Sequence, residues 1–200
     1  MNVYDFDGTI YSGDSTIDFY LFCLRKQPEI LCMGGKQIKG FFLYGLKKID
    51  KTQFKEIFFS FLPLIKQPKN MVKDFWNLNE KKIKKWYREN KKESDIIISA
   101  SPEFLLFPVT EKLDIQDVIA TKLDINTGKI DGKNCRGKEK VVRFQEKYKL
   151  EEIDNFYSDS DADLPLATIA KRAYKVKGMQ VQEWNCLLYT SDAADERSSV

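Results

Sequence analysis

The segment Asp5-Phe6-Asp7-Gly8-Thr9 sets two carboxylates two residues apart, directly after an apolar start. In an extended or turning backbone both can face one site, one attacking an electrophile while the other handles a proton. Three later groups have the chemistry to join them. Ser99-Ala100-Ser101 offers hydroxyls and backbone N–H groups ahead of a helix start, where phosphoryl oxygens bind readily. Ser101, standing before Pro102, reads as a helix N-cap, which leaves Ser99 as the functional hydroxyl. Lys138 and Lys140 follow Gly137, and either can carry a cation to a phosphate whose charge shifts during transfer. Asp159-Ser160-Asp161-Ala162-Asp163 clusters oxygen donors of the kind a hard cation takes. Magnesium commonly uses one or two carboxylates and leaves its other positions to water and substrate. The segment lacks the glycine and distal glutamate of a calcium-binding loop.

These residues need elements to hold them. Residues 1–6 read as a short buried strand ending in carboxylates. Residues 14–93 read as wholly helical: Ile17, Tyr20, Leu21 and Leu24 recur at helical spacing, as do Phe54, Ile57, Phe58 and Phe61, and Met71, Phe75 and Leu78. Asp14 or Ser15 caps the first helix. At Ser94 the character changes to a β-branched run, 95–99, which predicts a second strand followed by a helix over 104–112. Further on, the pattern predicts strands over 117–123, 153–158 and 173–176, helices over 137–148 and 164–172, and a hairpin over 123–130. Strands alternating with helices make a doubly wound, Rossmann-like parallel sheet, with the helical block inserted as an all-helical cap. Ligands bind beyond the carboxyl ends of such strands, where Asp5, Ser99 and Asp159 all fall.

Composition narrows the chemistry. The chain contains no histidine, which removes Ser-His-Asp and Cys-His nucleophile systems and mixed Cys/His zinc centres together. Its 33 basic and 30 acidic residues give a net charge of +3, too balanced for a dedicated nucleic-acid binder. Four cysteines without a Cys-x-x-Cys pair and without a secretory leader predict reduced thiols in a cytoplasm. The most apolar stretches fall short of the roughly 20 residues a membrane span needs, so no membrane partner is expected.

Taken in this order, the four groups resemble the motifs of the haloacid dehalogenase-like superfamily, specifically its phosphoserine-phosphatase-like branch. The resemblance covers residues 1–184 and rests on the combination of motifs. It implies a phosphatase acting on a small phosphorylated metabolite, with Asp5 as nucleophile and Asp7 as general acid and base. It also implies Mg2+ held at Asp5, Asp7 and Asp159 with Asp163 beside it, and a phosphoryl group bound by Thr9, Ser99, Ala100 and one of Lys140 and Lys138. Spacing to Val141 and Phe144 favours Lys140. On this reading the core comprises residues 1–13 and 94–185, the cap is 14–93, and Asp14 stands where a substrate amine is bound. The stretch 186–200 resembles a translated sequencing adapter and is expected to be an artefact.

Two other readings compete. The same carboxylates would serve a phosphotransferase or mutase. The cation- and aromatic-rich run from Lys81 to Arg88, with Lys91 and Lys92, would suit a non-catalytic RNA-binding protein, but it reads better as the wet face of an amphipathic helix with Ile83, Trp86 and Tyr87 inward. Phe41, Phe42, Phe58, Phe59 and Phe61 are expected in the core of the cap, not in a lipid-binding groove.

Overall fold

The computed structural model describes residues 1–115 and 117–185, so the expected artefact at 186–200 lies outside the described residues. Six strands form one sheet in the order β3-β2-β1-β4-β5-β6. They are β1 (Asn2–Tyr4), β2 (Ile96–Pro102), β3 (Asp117–Thr121), β4 (Asn155–Ser158), β5 (Arg172–Lys177) and β6 (Gln180–Glu183). The first five run parallel; β6, which the sequence pattern did not disclose, pairs antiparallel with β5 and is exposed at every residue.

Period-two alternation divides the apolar side chains between the two faces of the sheet. Tyr4, Ile97, Val118 and Ala120 join one buried cluster, while Val3, Ile96, Ile98 and Ile119 join another. Helix α6 (Glu103–Lys112) brings Leu105, Leu106 and Val109 to the first face. On the second lie α7 (Lys138–Gln145), through Phe144, and the short α8 (Leu164–Ala167), through Leu166. A helix on each face makes the fold α/β and doubly wound. The last helix was expected to run to 172, yet Thr168 turns its hydroxyl back onto the Pro165 carbonyl and β5 starts at Arg172.

Between β1 and β2 the described chain is helical: α1 (Ser15–Lys26), α2 (Gly34–Gly45), α3 (Lys51–Phe58), α4 (Pro68–Asn79) and α5 (Lys85–Asn90), joined by 3₁₀ turns. Phe59, Phe61, Phe75 and Trp76 are fully buried there, in a cluster continuous with the first face of the sheet. Trp76 donates its indole N–H to the Leu105 carbonyl at 2.6 Å, tying α4 to α6. No helix among the described residues is long and apolar enough to cross a membrane.

Two expectations about the helical block are corrected. Helix α1 buries Phe19, Phe22 and Cys23 and turns Ile17 and Leu21 outward, because both of its stripes are apolar and the Phe19 ring finds Phe75 at 5.4 Å. Phe41 and Phe42 are not in the core at all: both are exposed, on the outer side of α2. In the run from Lys81, Ile83 and Tyr87 are buried as expected and most cations meet acids: Lys82 pairs with Asp18, Lys85 with Glu89, Arg88 with Glu80 and Lys91 with Asp114. Lys84 departs from the pattern by turning inward.

Candidate active site

Strands β1 and β4 lie side by side, with Tyr4 opposite Tyr157. The Tyr4, Tyr157 and Tyr174 rings stack in register across β1, β4 and β5, with centroids 4.5 and 4.8 Å apart. Such cross-strand pairs fix register. They therefore fix where the strands stop, and Asp5 and Asp159 follow directly. Both line one cavity with Asp7, Ser99, Ala100, Ser101, Lys140 and Asp163.

Lys140, fully buried on the first turn of α7, donates to Asp5 Oδ1 at 2.7 Å and to Asp163 Oδ2 at 2.6 Å. Burial would lower its pKa, but Asp5 and Asp163 outweigh that and hold the ammonium charged. Burial raises Asp5 above the ordinary carboxylate range while Lys140 opposes the rise. Because Oδ1 is engaged, Oδ2 is the oxygen free to react. Asp163 Oδ2 also accepts from the Ser158 hydroxyl at 2.8 Å, so that oxygen is committed to Lys140 and Ser158 and Asp163 stands as counter-ion to the lysine.

Asp7 faces the start of α1. Its Oδ1 accepts the Ser15 N–H at 2.7 Å and its Oδ2 accepts the Ser101 hydroxyl. Burial lifts its pKa to about 6, with Asp14 adding to the rise and Ser101 and Ser15 working against it. A carboxyl poised there can give and take a proton near neutral pH. Ser101 is thus not the helix N-cap expected of it: the cap position of α6 is Pro102, whose φ of −66° suits a helix start, and the Ser101 hydroxyl serves Asp7. Ser99 accepts the Ser101 N–H at 3.0 Å, which leaves its own O–H to donate. The pairing of β2 with β3 shifts register between Ile98 and Pro102, so 99–101 leave the ladder where the cavity begins.

Asp159 sits against Gly8. A Cβ at Gly8, whose φ is +72°, would lie 2.0 Å from Asp159 Oδ2, so only glycine admits the carboxylate there. Thr9 accepts the Asp159 N–H at 2.9 Å; it does not line the cavity, and its place is behind the carboxylate, not beside a phosphoryl group. Burial raises Asp159 above its ordinary value. Among the described residues no three acidic or thiol side chains form a metal cage by themselves. The carboxylates of Asp5 and Asp159, with no thiol or imidazole among the residues that line the cavity, make an all-oxygen donor set, which fits magnesium.

The model of the haloacid dehalogenase-like hydrolase family matches residues 3–168. The chain belongs to this family. A segment of the chain is 31% identical over 88 residues to the protein CicA of Caulobacter vibrioides, spanning 40% of the chain and 40% of that relative. Its fold is similar to that of a Bordetella pertussis protein of unknown function, with a TM-score of 0.73, 18% identity and 98% and 95% of the two chains covered. It is also similar to a phosphoserine phosphohydrolase-like protein from Francisella tularensis, with a TM-score of 0.56, 17% identity and full coverage of both chains. A phosphoserine phosphatase in apo form aligns at a TM-score of 0.56 and 15% identity over 86% of this chain and 82% of its own. At such identities these structures speak to the fold alone.

Other predicted residues of the chain separate. Lys138 is exposed and does not line the cavity, so Lys140 alone of the two reaches the carboxylates. Asp14 caps α1, accepting from the Ile17 N–H at 2.9 Å, and also lines the cavity. Lys55, Asn134 and Arg136 line it unannounced by any motif. Lys55 donates to the Ala100 carbonyl and, at 2.9 Å, to Asn134 Oδ1; burial of its ammonium lowers its pKa to about 8. Lys84 donates to the Gly8 carbonyl from beneath the loop.

Proposed function

We propose that the chain is a magnesium-dependent phosphomonoesterase that works through an aspartyl phosphate on Asp5. Asp5 Oδ2 attacks phosphorus, forming one P–O bond as the ester P–O bond breaks, and Asp7 gives its proton to the departing alkoxide. Water then attacks phosphorus and yields a proton to Asp7, the bond to Asp5 breaks, and inorganic phosphate leaves. Ser99 and Lys140 hold phosphoryl oxygens through both steps, and Asp163 positions Lys140. Asp5, the Asp7 carbonyl and Asp159 are the residues that would hold Mg2+, which when bound neutralises charge on the phosphoryl oxygens.

The observation that carries this reading is the convergence of Asp5, Asp7 and Asp159 on one cavity, with Asp7 clasped by Ser101 and the α1 amide. The family's hydrolase character supports it. Phosphate release from an aryl phosphate by wild type and Asp5→Asn, with magnesium and with EDTA, tests it. Release is expected from wild type with metal alone. Comparable turnover by Asp5→Asn would remove the nucleophile.

A further inference from the structure

Helix α2 is amphipathic in the unusual sense. Its inward side carries Gly40, where a Cβ would come within 2.5 Å of Ile57 Cγ2, so the helix packs through a residue with no side chain. Its outward side carries Ile38, Phe41 and Phe42, and Leu46 caps its end, at the i, i+3, i+4, i+8 spacing of one stripe, each 60% to 67% exposed. Leu31 extends the stripe at one end, and Ile17 and Leu21 of α1 are half exposed. Leaving so much apolar surface in water is costly and marks a binding face.

Along α2 itself the charge is of one sign. From Gly34 to Ile49 the chain has Lys36, Lys39, Lys47 and Lys48 and no acidic residue. An apolar stripe flanked by lysines is the pattern of a helix that lies in the surface of an anionic bilayer. Such a helix does not span the membrane, so its length is no obstacle.

The stripe is also continuous with the catalytic cavity. The carboxylates, Lys55, Asn134 and Arg136 line that cavity, about 760 Å³, and Ile17, Tyr20, Ile38, Phe41, Phe54 and Phe58 give it apolar walls. A small polar alcohol would leave those walls unfilled. A hydrocarbon chain would fill them and emerge where α2 is most apolar.

We propose that the substrate is a lipid phosphomonoester, taken from an anionic bilayer on which α2 rests. This rests on the phosphomonoesterase reading above and names its substrate class. The ester's phosphoryl group reaches Asp5 while its acyl chain runs along Ile17 and Phe41, and Phe42 and Leu46, which lie outside the cavity, insert into the bilayer.

The test uses the full chain with magnesium and three esters: 1-oleoylglycerol 3-phosphate in phosphatidylcholine/phosphatidylglycerol vesicles, glycerol 3-phosphate, and an aryl phosphate. Co-sedimentation with the mixed vesicles is measured beside vesicles of phosphatidylcholine alone. The acyl ester is expected to exceed glycerol 3-phosphate in kcat/KM by about a hundredfold or more, and binding is expected to need the anionic lipid. The exposed double substitution Phe42→Ser/Leu46→Ser should lose about tenfold or more of vesicle binding and vesicle-borne hydrolysis, with aryl phosphate turnover unchanged. Release from the aryl phosphate without preference for the acyl ester overturns the substrate class and leaves the phosphatase standing. No release from any of the three overturns both. Unaltered vesicle binding by the double variant, or a wild-type dimer that this variant dissociates with no vesicle binding, overturns the docking and assigns the stripe to other use.

Discussion

Replacing Lys140 with Met isolates the cation at the centre of the site. The ammonium is 2% exposed and stands 2.7 Å from one carboxylate and 2.6 Å from another, which are themselves 10% and 3% exposed. Methionine matches its length and leaves both acids in place without a charge to face. Removing one partner of a buried ion pair costs roughly 3–5 kcal/mol, because the remaining charge is uncompensated. Against the ~5–15 kcal/mol of a typical domain this is a fifth or more of the total. Urea unfolding in EDTA, so that no metal replaces the ammonium, should show the midpoint falling accordingly at unchanged slope. Lys138→Met, on the exposed side of the same helix turn, should stay within ~0.5 kcal/mol of wild type. Aryl phosphate turnover should fall by ~10²–10³ in the first variant and hold in the second. A Lys140→Met protein that unfolds within ~1 kcal/mol of wild type would refute the argument that this lysine neutralises two buried acids.

Other outcomes follow from the same geometry. Gly8→Ala forces a Cβ to 2.0 Å from Asp159 Oδ2 and strains a φ of +72°, so it should abolish both metal-dependent turnover and the rise in Tm expected of wild type on adding magnesium. A Tm rise equal to that of wild type would mean Asp159 is not part of the cation site. Ser101→Ala removes a donor from Asp7 and should lower kcat by about tenfold with little change in KM; an unchanged kcat would show that the Ser15 amide alone suffices. Lys55 has a pKa lowered by burial from 10.5 to about 8. The unfolded chain therefore binds its proton more tightly, and this lysine favours unfolding by ~3 kcal/mol below pH 8, a penalty relieved as pH rises from 8 to 10.5. The difference in stability between wild type and Lys55→Met should shift in wild type's favour across that window, and a difference independent of pH would place the ammonium in water.

What the sequence disclosed was whatever depended on short-range pattern. The β-branched run before Ser99 and the apolar run around Val118 suit a sheet buried on both faces, and the strand ends placed Asp5, Ser99 and Asp159 together. Lys55, Asn134 and Arg136 carried no such signal, because their position depends on how the helical block seats on the core, which no local spacing encodes. Ser101 was misread because proline after serine imitates a helix cap, whereas its hydroxyl is claimed by a carboxylate 94 residues away. Phe41 and Phe42 were assigned inward on hydrophobicity alone. Gly40 reversed them: the helix can approach Ile57 only on its glycine side, and the rings are left facing out.

Helix α3 and the turn after it are fastened to the hairpin closed by Leu123 and Ile130 and to the stretch of chain that follows it. Glu56 accepts the Ile130 N–H at 3.0 Å and pairs with Lys129, Thr52 accepts the Asn134 N–H at 3.3 Å, and Gly128 lies flush against the Phe59 carbonyl. That loop therefore works as a doorstop. A single residue added to it is expected to shift α3 at the cavity wall and lower aryl phosphate turnover without replacing Asp5, Asp7 or Lys140. Turnover in this architecture is thus tunable from a stretch of chain with no chemistry of its own.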